Sequence, residues 1–303
     1  MSQPASRPTQ WFPLWVVLSV IWGFSFLFIK VAGEFLDPYQ TTFGRMGLGA
    51  LALLLYLFAT GKRPIVRGPA VAHLGFLGLI AQAIPFTLFA WAEHSISSIA
   101  AGLVNSTMSL WTGVLAIAIL PEERLNKPRT IGMVLGFLGI LVLLGVWATD
   151  FRGNWLAYLA CSLSTIGYAV AALWTRKFVS PMHLDPISAI ATQLSLGTLA
   201  CGVVMAFTSS APTQWPANGV ASIVLLGALG TGIALVLNYI IIHRAGAVAT
   251  STVTYSIPIV STLAGALVLH EKLHWYEPIG AVIILIGIAL VQQLLPRPQK
   301  VSA

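Results

Sequence analysis

Apolar stretches of about twenty residues recur along the whole chain, broken only by short polar links, and nothing else in the sequence constrains it more. Each stretch is long enough to cross, as a helix, a hydrocarbon core roughly 30 Å thick. Ten spans can be drawn, at 13–33, 39–59, 70–92, 98–120, 128–147, 153–174, 186–207, 219–242, 247–268 and 276–295. Charged residues make up 8% of the chain and apolar ones 57%, far from soluble usage. The expectation is an all-α membrane protein with ten transmembrane helices. No alternating pattern suggests a transmembrane barrel. The net charge of +7 is therefore read as topology, and nucleic acid is not expected as a partner. With the N-terminus in the cytoplasm, twelve Lys and Arg fall on the cytoplasmic side, against Lys30, Arg152 and Lys272 outside and Arg45 within a span. That bias places both termini of a multi-pass protein in the cytoplasm. The first span is too long for a signal h-region and reads as a retained helix. Cys161 and Cys201 fall inside spans and read as small packing groups.

The chain also repeats itself. Leu-Asp-Pro occurs at 36–38 and again at 184–186, and each copy announces a helix start, with Asp37 or Asp185 as cap and Pro38 or Pro186 in the first turn. At the same offset of 148, Gly49 meets Gly197, Glu123-Arg124-Leu125 meets Glu271-Lys272-Leu273, and Gly139 meets Gly287. Upstream, WGFSF at 22–26 resembles IGYAV at 166–170 at an offset of 144, which pairs Lys30 with Trp174. The chain thus divides into two five-helix units, 1–148 and 149–303. Because five is odd, the second unit enters the membrane from the opposite side. Inverted repeats of this kind typify secondary transporters, whose site lies between the halves near the midplane.

The five-plus-five layout, the Trp22-Gly23-x-x-Phe26 first helix, Arg45 in the second, and the Glu-(Arg/Lys)-Leu phrase after the fourth and ninth helices resemble the drug/metabolite transporter superfamily, EamA type. The resemblance covers roughly 14–295. Within it the chain looks most like bacterial inner-membrane exporters of aromatic amino acids. The resemblance implies export from an inner membrane. A departure from the family is that Pro258 of the ninth helix has Leu110 as its counterpart in the fourth.

Candidate substrate-binding residues follow from polarity at depth. Arg45 lies six residues into its helix, about 9–10 Å along the axis. So shallow a charge needs no special compensation and favours snorkelling or pairing with Glu34 or Asp37. The alternative is that it faces the cavity and attracts a substrate carboxylate. Gln82, Asn105, Ser109, Ser164, Gln193, Thr231 and Tyr255 are midspan polar residues, though Ser and Thr often bond their own helix and Asn and Gln often join helices. On the fourth helix two faces compete, one with Asn105, Ser109 and Thr112, the other with Thr107 and Trp111. Because Tyr255 maps to Thr107 at offset 148, symmetry favours Thr107 and Trp111. Trp22 and Trp111 lie near midspan, away from the interfacial belt, and Ser25 sits one turn after Trp22, so that face suits a flat, partly polar solute. Pro85 and Pro258 are the candidate hinges. All nine carboxylates flank helices, so no buried proton relay is expected and transport reads as free of obligatory proton coupling.

His270-Glu271-Lys272-Leu273-His274 satisfies the zinc-protease pattern, which needs both histidines on one helical face. Its twin at 122–126 keeps neither histidine, so a metal-dependent membrane enzyme is kept only as a rival from another class. No metal and no cofactor are expected. The reading is a carrier of small organic solutes, aromatic or bulky neutral amino acids first, with nucleotide sugars, sugars or drug-like cations as alternatives. Gly132-x-x-x-Gly136 serves packing within the chain or a dimer seam, for a monomer or weak dimer in the bilayer.

Overall fold

The structure is a computed structural model that describes residues 11–65, 67–119, 127–238, 240–241 and 253–291. The Glu123 loop, Arg244, both termini and the side chain of Tyr255 lie outside the described residues. All regular secondary structure among the described residues is helical. In chain order it runs α1 (Phe12–Ala32), α2 (Pro38–Ala59), α3 (Ala70–Ala92), α4 (Ser98–Asn105 continued by Met108–Ile119), α5 (Lys127–Leu143), α6 (Thr149–Trp174), α7 (Pro186–Thr208), α8 (Ala217–Asn238), α9 (Val253–Val268) and α10 (Tyr276–Val291). Seven of these are long and apolar enough to cross a membrane, and 130–143, 256–268 and 276–287 are shorter apolar helices. Phe58 and Phe207 are 87% exposed and Leu267 71%. Side chains of that kind face lipid in a protein whose outer solvent is hydrocarbon.

Both Leu-Asp-Pro phrases act as helix starts. The Asp37 carboxylate accepts from the backbone N–H groups of Tyr39 and Gln40 at 2.8 and 3.0 Å, and the Gln40 side chain accepts from the Asp37 N–H at 3.0 Å. That is a capping box with proline in the first turn. Asp185 caps Ser188 in the same way, at 3.0 Å from its N–H.

Equivalent helices of the two halves pack antiparallel. Along α2 and α7, Lys62 bridges to Asp185 at 2.7 Å near one end, and the Gln40 amide donates to the Ser210 carbonyl at 2.6 Å near the other. The Lys62 hydrogen bond holds the Asp185 carboxyl below its ordinary range. Along α5 and α10, Gly280 abuts Leu143 while Gly287 meets the Gly132 carbonyl and Gly136. Partner numbers fall as chain numbers rise, so the halves are inverted relative to each other. Gly132 and Gly136 accordingly serve a seam inside the chain. Gly287 leaves no room for a Cβ, which would lie 2.7 Å from the Gly132 oxygen.

The third helix of each half carries the same irregularity. A π-helical turn interrupts α3 at Gly78–Ala83 and α8 at Ala228–Ile233. In α3 the turn leads into Pro85, which has no N–H to donate. The Pro85 carbonyl accepts from the Ser164 hydroxyl of α6 at 3.2 Å. Pro258 sits inside α9, which continues through it. Such turns widen the backbone and often mark functional positions.

Candidate functional site

A cavity of about 320 Å³ lies between the halves, at the level of the two π-helical turns. That is the size of a small-molecule site, roughly 300–1,000 Å³. Its lining runs from Ile29, Arg45 and Phe89, toward the end where α1 finishes, down to Leu77, Thr175 and Thr254 toward the opposite end. The end where α1 finishes is the outer end under the expected topology.

Arg45 settles into the cavity wall. It is 8% exposed, and its Nε donates to the Thr231 hydroxyl of α8 at 3.0 Å. Its guanidinium carbon lies 3.7 Å from the centre of the Phe86 ring. Thr231 in turn donates to the Leu226 carbonyl at 3.1 Å, five residues back, a reach that the π-helical turn supplies. The snorkelling expectation therefore fails: neither Glu34 nor Asp37 pairs with Arg45. Helical position fixes depth but not direction, and direction is what aims this side chain inward.

The repeat-equivalent of Arg45 is Gln193 on α7, whose amide donates to the Gln82 carbonyl oxygen of α3 at 2.7 Å. The two contacts are one contact made twice. In each, the second helix of one half reaches the π-helical turn in the third helix of the other. The backbones confirm it: a Cβ on Gly227 would meet the Arg45 carbonyl at 3.0 Å, and one on Gly78 the Gln193 carbonyl at 2.5 Å.

Most of the lining obeys this symmetry. Of its twenty-two described residues, twenty form ten pairs, and only Leu77 and Phe89 lack a counterpart. On α1 and α6, Trp22, Ser25, Phe26 and Ile29 pair with Tyr168, Ala171, Ala172 and Thr175. On α3 and α8, Ala81, Gln82 and Phe86 pair with Gly230, Thr231 and Leu235. On α4 and α9, Asn105 and Met108 pair with Thr254 and Ile257. The offset is thus 146 in the first helix of each half, 148 in the second and 149 in the third and fourth.

That drift corrects two expectations. At an offset of 149, Asn105 and not Thr107 faces the cavity, because one residue turns a helix by about 100°. Thr107 is 1% exposed and packs on α6, its hydroxyl 3.2 Å from that of Thr165. Trp111 packs against the neighbouring core and its indole N–H is buried without a partner among the described residues. At 146, Lys30 pairs with Arg176 rather than Trp174, so the repeat does keep a cation there. Lys30 is not in the lining; its ammonium donates to the Glu93 carbonyl and, at 2.8 Å, to the Ile96 carbonyl.

Of the other candidates, Trp22, Ser25, Gln82 and Gln193 line the cavity. Ser25 donates to the Ile21 carbonyl at 3.0 Å, so its oxygen is left as an acceptor. Ser164 is not in the lining: it is 1% exposed and bonds the Ala160 and Pro85 carbonyls. Tyr168, Phe86, Phe89 and Met108 are lining residues that polarity could not single out; the ring of Tyr168 lies 16° from parallel with Phe89, at 6.2 Å. One carboxylate also departs from expectation. Glu93, at the end of α3, is 2% exposed, so a place at a span end did not put it in water.

The zinc-protease pattern does not form its helix. His270 has φ of 54° and 270–274 is not helical. Glu271 instead accepts from the Ser98 N–H at 2.9 Å, the Ser98 hydroxyl at 2.8 Å and the Ile99 N–H at 3.1 Å, capping α4. Among the described residues no group of three His, Cys, Asp or Glu is placed to hold a metal.

Comparison with known proteins places this architecture. An uncharacterized transporter of Archaeoglobus fulgidus is 27% identical over 281 residues, 91% of this chain and 98% of its own. The uncharacterized transporter YcxC of Bacillus subtilis is 28% identical, over 90% of this chain and 89% of its own. The uncharacterized inner membrane transporter YedA of Escherichia coli is 25% identical, over 90% and 88%. A solved crystal structure at 20% identity superposes with a TM-score of 0.67, covering 96% of this chain and all of that one, which shows the shared fold. The profile of the EamA-like transporter family matches residues 10–145 and again 155–292, one half at a time. With nearly the whole chain matched, the protein belongs to the EamA-like transporter family of the drug/metabolite transporter superfamily.

Proposed function

We propose that this transporter moves small organic solutes bearing a carboxylate and a flat apolar group, with aromatic or bulky neutral amino acids as the class that fits, by alternating access and in the direction of export. The observation that carries the reading is Arg45. It is buried in the cavity wall and held by one hydroxyl and one ring, with no carboxylate partner among the described residues. A buried guanidinium with donors to spare recruits an anion. Trp22, Phe26, Phe86, Phe89 and Tyr168 supply aromatic walls, and Asn105, Gln82 and Gln193 supply neutral hydrogen bonds. Among the described lining residues Arg45 is the one cation, which counts against nucleotide sugars, whose phosphates call for several. The same lining holds no carboxylate, which counts against drug-like cations.

The reading takes ten crossings as two inverted halves meeting near residue 148, and a monomer or weak dimer in the bacterial inner membrane with both termini in the cytoplasm. The ground for expecting uncoupled transport was that no acid is buried, and Glu93 removes it. The test is counterflow of labelled tryptophan into proteoliposomes. Wild type is expected to take up label, and Arg45→Gln to lose at least tenfold, the equivalent of about 1.4 kcal/mol. Folded wild type that takes up no tryptophan refutes the amino-acid assignment; uptake unchanged in folded Arg45→Gln refutes the role of Arg45.

A further inference from the structure

Glu93 is the one carboxylate among the described residues whose two oxygens are both buried and both without a hydrogen-bond partner. Its backbone closes α3, the N–H bonding the Phe89 carbonyl at 3.0 Å. Phe89, one turn earlier, lines the cavity, so Glu93 stands between the cavity and the outer end. An ionised carboxylate left bare in such a place costs far more than a neutral one, which loses only a hydrogen bond or two.

Lys30 is within reach and yet elsewhere. Its ammonium is spent on the carbonyls of Glu93 and Ile96, tying α1 to the link between α3 and α4. The other titratable groups that face Glu93 are Arg45 on α2, Glu271 in the link before α10 and Cys161 on α6. His94, the next residue, is turned toward Gly33. Glu271 is itself occupied in capping α4, and its charge opposes a second negative charge at Glu93.

We infer that Glu93 is a proton-binding site that latches the outer end of the carrier. With the proton on, Glu93 is neutral, Lys30 stays on the two backbone carbonyls, and the end is closed. When the proton leaves to water, the new carboxylate takes the Lys30 ammonium from those carbonyls, α1 is released and the end opens. The sign follows from the environment. Burial pushes the Glu93 carboxyl well above its ordinary range, with Lys30 opposing the shift. Opening hydrates the group and returns it toward an ordinary value. The closed end is thus favoured at low pH and loses its advantage as pH rises toward the closed-state value. The inference rests on the alternating-access reading for its consequence, that proton and solute movements are linked; the proton site itself is open to test without any solute.

Two readouts on purified, lipid-reconstituted protein decide it. The first is infrared absorption of the carboxylic acid carbonyl at neutral pH. Wild type is expected to show a band that Glu93→Gln abolishes and Glu93→Asp shifts, so a variant that fails to fold does not end the test. The second is the distance between spin labels at Glu34→Cys and Ser95→Cys, both exposed. It is expected to lengthen as pH rises in wild type, to stay short at every pH in Glu93→Gln, and to be long at every pH in Lys30→Met. No Glu93-dependent band at neutral pH, or the same pH response in Glu93→Gln as in wild type, overturns the inference. Failure of tryptophan to exchange strikes the substrate assignment alone and leaves both readouts standing.

Discussion

At the scale of single residues, close approach between the halves is set by atoms that are missing. A Cβ on Gly197 would lie 2.6 Å from the Gly78 carbonyl oxygen and closer still to the Met46 methyl. The Met46 side chain can turn aside, but a backbone oxygen cannot. Gly197→Ala therefore forces α3 and α7 apart just where Gln193 meets Gln82. A cost of about 1–3 kcal/mol is expected, as for overpacking elsewhere. Gly153→Ala is the control, since nothing among the described residues lies within 4 Å of its Cβ site. There the change is expected to be neutral or stabilising by up to about 1 kcal/mol, from helix propensity alone. Thermal unfolding in one detergent compares the two. A Gly197→Ala protein as stable as the Gly153→Ala protein would mean that the crossing is looser than described.

At the scale of elements, what matters is which face of each helix meets the cavity. Asn105 faces it and Thr107 does not, so the two give opposite expectations. If the proposed amino-acid substrate bonds Asn105, Asn105→Leu removes a hydrogen bond worth about 0.5–1.5 kcal/mol and is expected to lower tryptophan affinity by about twofold to tenfold. Thr107→Val breaks only the contact to Thr165, and affinity is expected to hold within about twofold of wild type. Equal losses in the two variants would count against the assignment of faces. The same pair shows what was legible in the sequence. Helix starts were, because Asp37 and Asp185 bond groups within three residues of themselves. Seven of the spans were, because length and hydropathy are properties of a segment alone. Faces were not, because the repeat could be aligned only at its few matching phrases. Between α2 and α3 it slips by one residue, and one residue is enough to exchange Asn105 for Thr107. Glu93 escaped for a related reason: position along a span says nothing of what α1 and the link before α10 bring over it.

At the scale of the whole molecule, the alternating access proposed for this pair of inverted halves calls for two states related by the repeat, with each half taking the other's conformation in turn. On that proposal, contacts that close the outer end are made by one copy of a motif, and the other copy takes the same task in the opposite state. We assign Glu271 to the outer end, with its three hydrogen bonds to the start of α4. Its counterpart at offset 148 is Glu123. Hydrogen bonds to an ionised group contribute about 1.5–3 kcal/mol, so losing the Glu271 cap shifts the ratio of states by roughly ten- to a hundredfold. Glu271→Gln is expected to favour the state open at the outer end, and Glu123→Gln the state open at the other. The double variant should fall back toward the wild-type ratio, because the two losses act on one equilibrium with opposite sign. Spin-label distances across each end measure all three. Shifts of the same sign in the two single variants would show that the motifs hold the fold rather than the balance between its states, and the symmetry of the cavity would then be a matter of architecture without a part in transport.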